Sequence, residues 1–171
     1  METAMKLFAE NGFSGVSVSR LAKESGISKG LLYNYFDSKE ALLKEIIIEG
    51  VNRMISPLGE LKSQKITRAK IIRLVDINFG TMKTDRKYWQ LYVSVISQPK
   101  VMELVKDDFM KIITPFIGMV SEYFRDKGVS NPVAYSFLIG SLLDGIAIDY
   151  LMAPGEYPLD EIRDIIVDKL L

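Results

Sequence analysis

The chain has 171 residues, 48% of them hydrophobic and 26% charged, and its formal net charge is zero. This length and hydrophobic content can bury a sizeable core, so we expect either one compact unit or a small domain joined to a larger one. Cysteine and histidine are both absent, which excludes disulfides, Cys/His zinc sites, cysteine nucleophiles and serine–histidine triads.

A segment near the N-terminus has the spacing of two short helices joined by a tight turn. Val18, Leu21 and Ala22 fall at i, i+3 and i+4, which gives the first helix one apolar face. Ser17 precedes this helix and can cap its unpaired N–H groups. Gly26 follows the helix and can adopt the left-handed backbone conformation that the turn requires.

The second helix of this segment separates an inward face from an outward one. Ser28 is placed to cap it, and Ile27, Leu32 and Phe36 continue the apolar stripe towards the core. A helix advances by about 100° per residue, so other positions point to the opposite side. These outward residues are Lys29, Gly30, Tyr33 and Asn34.

The outward residues are chemically suited to the major groove of DNA. Lys29 can neutralise a phosphate, and Gly30 allows the backbone to approach closely. Tyr33 and Tyr35 offer hydroxyl groups to phosphate oxygens, and the amide of Asn34 matches an adenine edge. The alternative is a solvated helical hairpin in which the polar residues face water and the tyrosines pack. The combination of residue types favours DNA binding.

Three consecutive stretches of the chain carry a family resemblance. The run from Ala4 to Phe13, the helix-turn-helix segment and the run from Asp37 to Leu42 together resemble the N-terminal domain of TetR-family transcriptional regulators. The resemblance implies a helix-turn-helix DNA-binding domain of three helices over residues 1–44 and a larger helical effector-binding and dimerisation domain over residues 45–171. It also implies that operator DNA contacts Ser17, Ser28, Lys29, Gly30, Leu31, Tyr33, Asn34, Tyr35 and Lys39.

The rest of the chain keeps a helical periodicity and shows no convincing strand alternation, so we predict an all-α fold. Asp37 and Glu40 resemble a capping box that opens a helix, and residues 56–59 are expected to close it. Further helices are predicted at about 66–83, 86–97, 99–126, 132–153 and 158–170. Pro115 lies inside one of them and should kink or divide it.

The predicted helix at 132–153 is apolar nearly all round, so it must be covered on two sides. Asp144 and Asp149 interrupt its apolar stretch, so we expect a cytoplasmic protein with no membrane span.

A stripe of small or short residues on this helix permits close approach of another helix, and the last predicted helix adds a further apolar stripe. Two such helices from each subunit would form the four-helix interface of a homodimer. Its predicted residues are Ser136, Gly140, Asp144, Ala147, Ile162 and Ile166. The alternative is a buried core helix in a monomer.

Aromatic and methionine side chains are concentrated on helices that, in the family, surround an effector cavity. Such side chains suit an adaptable apolar pocket, and they equally suit a filled core. Asp76, Asn78, Asp144 and Asp149 are polar residues in apolar helices that could orient a ligand, bind a cation or, for Asp144, bond across a dimer. The predicted effector site comprises Phe79, Met82, Trp89, Tyr92, Phe109, Met110, Phe116, Met119 and Asp144.

These features predict a ligand-responsive transcriptional regulator, a repressor, that binds a near-palindromic operator as a homodimer. A small, mostly apolar effector is expected to release it from DNA. We expect no catalytic residue, metal or cofactor. Two alternatives stay open: a helical protein-interaction module that does not bind DNA, and an enzyme that uses carboxylate, Lys or Tyr chemistry. The enzyme is less favoured because no acidic pair has a diagnostic spacing and no histidine base is available.

Overall fold

The computed structural model describes residues 1–59 and 66–171. Within these ranges the chain forms nine α-helices and no β-strand, which confirms the all-α prediction. The five later helices begin and end within about two residues of their predicted bounds. The helices are α1 (Glu2–Asn11), α2 (Val18–Glu24), α3 (Lys29–Tyr35), α4 (Lys39–Gly59), α5 (Arg68–Thr84), α6 (Arg86–Ile96), α7 (Pro99–Asp126), α8 (Pro132–Met152) and α9 (Leu159–Lys169).

The helix-turn-helix forms through the predicted caps. Ser17 Oγ accepts a hydrogen bond from the Arg20 amide at 3.2 Å, and Ser28 Oγ accepts one from the Leu31 amide at 3.1 Å. Gly26 has φ of 68° and provides the left-handed residue between α2 and α3. Short-range hydrogen bonding thus sets where both helices begin.

The start of α4 differs from the prediction by one residue. Ser38 Oγ accepts a hydrogen bond from the Ala41 amide at 3.0 Å, so Ser38 caps the helix. The predicted capping box of Asp37 and Glu40 is therefore wrong. The helix extends to Gly59, the last residue of the segment that was expected to close it.

The long helix α7 runs without division from Pro99 to Asp126, and Pro115 lies inside it. Division at this proline was one of the two predicted outcomes, and it is wrong. Proline has no N–H, so it cannot donate the usual bond to the carbonyl of Lys111. Gly128, with φ of 78°, follows the end of this helix in the left-handed conformation typical of a C-terminal cap.

The residues group into two compact units. Unit 1 comprises residues 1–51 and 87–109, and unit 2 comprises residues 52–86 and 110–171. Unit 1 therefore contains α1, α2, α3 and the first part of α4, together with most of α6 and the first part of α7. Its fully buried side chains include Phe8, Leu43 and Leu91, whereas those of unit 2 include Phe124 and Met82.

Helix α9 is held along α5 within unit 2 by polar contacts. Arg163 donates from Nε and a terminal nitrogen to one carboxylate oxygen of Asp76, at 2.8 and 2.6 Å. Lys83 and Asp160 form a second pair at 2.6 Å. These contacts supplement the apolar packing that buries Ile166 on α9.

Helix α8 is, among the described residues, the single helix long and apolar enough to cross a membrane by length and composition. Asp144 and Asp149 do not take it below that criterion, contrary to the sequence-based expectation. About 22% of its most apolar window is buried inside the chain. Because core and interface helices meet the same criterion, this property alone does not indicate a membrane protein.

Candidate functional site

The outward face of α3 is accessible, as its periodicity predicts. Leu32 is 9% exposed and faces the core, whereas Tyr33 is 49% and Tyr35 74% exposed. Six of the residues predicted to contact DNA form this exposed surface: Lys29, Gly30, Leu31, Tyr33, Asn34 and Tyr35. We call this set the α3 surface. It carries a cation, an amide, two phenols and an exposed leucine on one short helix.

Gly30 is not required by the packing of the chain itself. A Cβ added to Gly30 would meet no atom closer than Ser28 Oγ at 3.9 Å, and its φ is not in the left-handed region. An alanine would fit the free protein and would favour the helix. The absence of a side chain at Gly30 leaves room for a partner to approach the helix backbone here.

Ser17 and Ser28 lie at the N-termini of α2 and α3, and both are exposed. Each hydroxyl oxygen accepts a backbone hydrogen bond and keeps its own proton to donate. The unpaired amides at a helix N-terminus also favour a nearby anion. Both positions therefore suit phosphate contacts.

Lys39 is placed differently from the other predicted DNA contacts. Its side chain is half-buried, and Nζ donates to the carbonyl oxygens of Phe13 and Val16, at 2.9 Å each. The same nitrogen lies 4.1 Å from the centre of the Phe13 ring. The predicted contact of Lys39 with operator DNA stays a prediction, and in this structure its ammonium is held by the loop between α1 and α2.

Two further cations lie on α2 and were not included in the predicted contacts. Arg20 and Lys23 are exposed, and Arg20 donates to Asn11 Oδ1 at 3.1 Å. Their spacing along the polar side of α2 is visible in the sequence. The prediction relied on matching motif positions, and so it did not select them.

Part of the predicted effector site forms an aromatic cluster in unit 1. Trp89 and Tyr92 are buried at 2% and 7% exposure, and their ring centres lie 5.5 Å apart at 79°. The Tyr92 and Phe109 ring centres are 6.4 Å apart. These distances are typical of packed aromatic side chains, so this cluster is filled by its own rings.

The other predicted effector residues belong to unit 2 and differ in accessibility. Phe79 and Met82 on α5 are buried, and Met110 at the start of the unit's α7 segment is 41% exposed. The half-buried members of the set are Phe116, Met119 and Asp144. The predicted residues are thus divided between the two units, and their joint role in one pocket stays a prediction.

The residues of the predicted homodimer interface differ in how deeply they are buried within the chain. Ala147 and Ile166 are buried within the chain, and Ser136 is buried with its hydroxyl 3.1 Å from that of Ser121. These three residues are not on the surface, so the prediction that they contact a second subunit is corrected. Gly140 is exposed, and a Cβ added there would contact nothing within 4 Å. The remaining members, Asp144 and Ile162, are half-buried.

The side of α8 that faces away from its buried residues carries a different apolar surface, which we call the α8 face. Phe137 is 53% exposed, Leu138 48%, Val133 49% and Leu142 36%. On α9, Ile165 is 58% exposed. We expected α8 to be covered on two sides. Its own chain covers one side, and the α8 face stays uncovered within the chain.

The sequence of this chain is similar to those of known transcriptional regulators. The profile of bacterial regulatory proteins, tetR family, matches residues 1–46. The chain is 28% identical over 187 residues to the fatty acid metabolism regulator protein of Bacillus subtilis, covering 100% of this chain and 91% of that protein. It is 25% identical over 144 residues to the HTH-type transcriptional regulator UidR of Escherichia coli, covering 84% and 73% respectively.

The fold is also shared with a solved structure. The transcriptional regulator FadR from Bacillus subtilis, in complex with stearoyl-CoA, aligns with a TM-score of 0.80 at 19% identity. The alignment covers 99% of this chain and 94% of that one. The similarity extends over the whole chain, beyond the N-terminal helices that the family profile matches.

Proposed function

We propose that this chain is a repressor of the TetR family, whose profile matches residues 1–46, and that it binds a near-palindromic operator as a homodimer and is released by a mostly apolar effector. Residues 1–44 act as the DNA-binding domain and residues 45–171 as the effector-binding and dimerisation domain. The protein works in the cytoplasm by binding, without catalysing a reaction.

The α3 surface is the observation that carries this proposal. Lys29 supplies a phosphate contact and Asn34 a base contact, while Gly30 permits close approach of the backbone. All three are exposed on the same helix. A solvated hairpin accounts for each of these residues singly, whereas DNA binding accounts for their combination on one exposed helix.

Selection from a random duplex library tests DNA binding and identifies the operator sequence in the same experiment. We expect recovery of a near-palindromic sequence with half-sites about one helical turn apart, or a multiple of it. Asn34→Ala should relax preference at one base position in each half-site, at a cost of about 1–3 kcal/mol. Absence of binding to any duplex at low salt would refute the regulator and support an interaction module.

The α8 face supports the homodimer. Exposed aromatic and leucine side chains on one helix mark an association surface, and a dimer would place two recognition helices on one operator. Leu138→Glu should convert the dimer to a monomer in sedimentation velocity. Leu104→Glu is a matched control, because Leu104 is 39% exposed on α7 in unit 1. Equal effects of the two substitutions would refute the assignment.

The effector we propose carries a long alkyl chain. Support comes from the apolar residues of α5 and α7 in unit 2, and from the stearoyl-CoA bound by the similar Bacillus subtilis regulator. Stearoyl-CoA should dissociate the protein from its selected duplex, whereas coenzyme A alone should not. Stearate serves as the control for the alkyl chain. Because coupling is reciprocal, the duplex must weaken stearoyl-CoA binding by the same factor.

A further inference from the structure

The connection between α1 and α2 has an unusual backbone. Gly12 has φ of 70°, a conformation that other residues rarely adopt. A Cβ added to Gly15 would lie 2.4 Å from the Asn11 carbonyl oxygen, so this position also requires glycine. Two glycines make the loop possible, but they provide no side chains that would hold it in place.

Lys39 supplies that restraint from the first turn of α4. Its ammonium donates to the Phe13 and Val16 carbonyls at 2.9 Å each and lies over the Phe13 ring. Phe13 and Val16 are 8% and 1% exposed, so the loop carbonyls are bound where water has limited access. Hydrogen bonds from a cation and a cation–π contact are among the stronger polar interactions in such a place.

The restrained loop leads directly into the N-terminus of α2. Val16, whose carbonyl accepts from Lys39, is followed by Ser17, which caps α2. Any displacement of Val16 therefore displaces Ser17 and the first amides of α2. We propose that Lys39 is a positioning residue for DNA binding: its ammonium holds the loop so that Ser17 and α2 meet the phosphate backbone, and it does not itself bind phosphate. This inference rests on the DNA interface proposed above.

The salt dependence of DNA binding separates positioning from phosphate contact. A lysine that neutralises one phosphate releases about one counterion, so its loss makes the plot of log affinity against log salt shallower by about one unit. Loss of a positioning residue weakens binding while the number of neutralised phosphates stays nearly the same. Lys29, exposed on α3, is the matched phosphate-contacting control.

The decisive comparison uses Lys39→Met and Lys29→Met on a random-sequence duplex. Lys39→Met should weaken binding about tenfold, as expected for loss of a charge-assisted hydrogen bond, with an unchanged salt slope. Lys29→Met should reduce the slope by about one unit. Lys39→Arg, which keeps the charge, the donors and the ring contact, should recover most of the affinity. A reduced slope for Lys39→Met overturns the proposal.

NMR gives an independent readout whose decisive comparison, the free against the duplex-bound wild-type protein, requires no variant. The ε-methylene protons of Lys39 should be shifted upfield by the Phe13 ring, and Phe13→Leu should abolish the shift. The shift should persist when the duplex binds. Its disappearance on binding would show that Lys39 leaves the loop for a phosphate, which refutes the inference while the DNA-binding function stands. If the wild-type protein binds no duplex, the proposed function fails as well.

Discussion

Replacement of Gly50 by alanine probes how tightly α4 is packed in unit 1. The Tyr88 side chain of α6 lies directly against this glycine, and a Cβ there would be 1.8 Å from a ring carbon, where ordinary contacts are 3.4–4 Å. Tyr88 is 2% exposed, and its hydroxyl donates to the Ile47 carbonyl at 3.3 Å. The ring is therefore confined on α4 and cannot move aside without losing that contact.

Two opposing contributions decide whether Gly50→Ala stabilises or destabilises the protein. Alanine is favoured over glycine inside a helix by about 0.5–1 kcal/mol. Overpacking of a well-filled site costs about 1–3 kcal/mol. At Gly118 on α7 a Cβ would meet nothing within 4 Å, so only the favourable contribution applies there. Gly50→Ala should therefore be less stable than Gly118→Ala by about 1–3 kcal/mol.

Urea denaturation followed by far-UV circular dichroism measures this difference. All variants are compared at one protein concentration, because the stability of the proposed dimer depends on concentration. Tyr88→Leu provides the coupling test. If the ring causes the penalty, Gly50→Ala should cost less in the Tyr88→Leu background than in the wild type. Equal stabilisation by Gly50→Ala and Gly118→Ala would refute the close contact between α4 and Tyr88.

Three further substitutions test local features of the structure. Ser28→Ala removes the cap of α3 and should lower the free energy of unfolding by about 1 kcal/mol in urea titration. Arg163→Gln breaks the exposed pair with Asp76, so it should cost at most about 1 kcal/mol at low salt and less at high salt. Burial, and then the charge of Asp149, raises the pKa of Tyr157. A raised folded-state pKa means that stability is complete below the ordinary value of about 10 and falls as pH rises through the folded-state pKa. Tyr157→Phe should therefore lose less stability than the wild type in alkaline denaturation.

Local hydrogen bonding and periodicity made the N-terminal helices predictable. Ser17, Gly26 and Ser28 act through bonds and backbone angles that span at most a few residues, so their roles are readable from neighbours in the sequence. The exposed face of α3 follows in the same way, because helical geometry alone separates Tyr33 from Leu32. The cap of α4 was misplaced by one residue because Asp37 and Ser38 are both good caps, and the pattern did not distinguish them.

Contacts between residues far apart in the sequence decided the role of Lys39 and the buried side of α8. Nothing in the motif around Lys39 indicates that its ammonium reaches the Phe13 carbonyl, 26 residues earlier in the chain. Along α8 an apolar residue occurs on every side, so periodicity could not tell the buried Ala147 from the exposed Phe137. The sequence by itself determined that α8 is apolar on every side, from which we predict cover on two of them. Only the packing of unit 2 decided which face its own chain covers, because that choice depends on the helices packed around it.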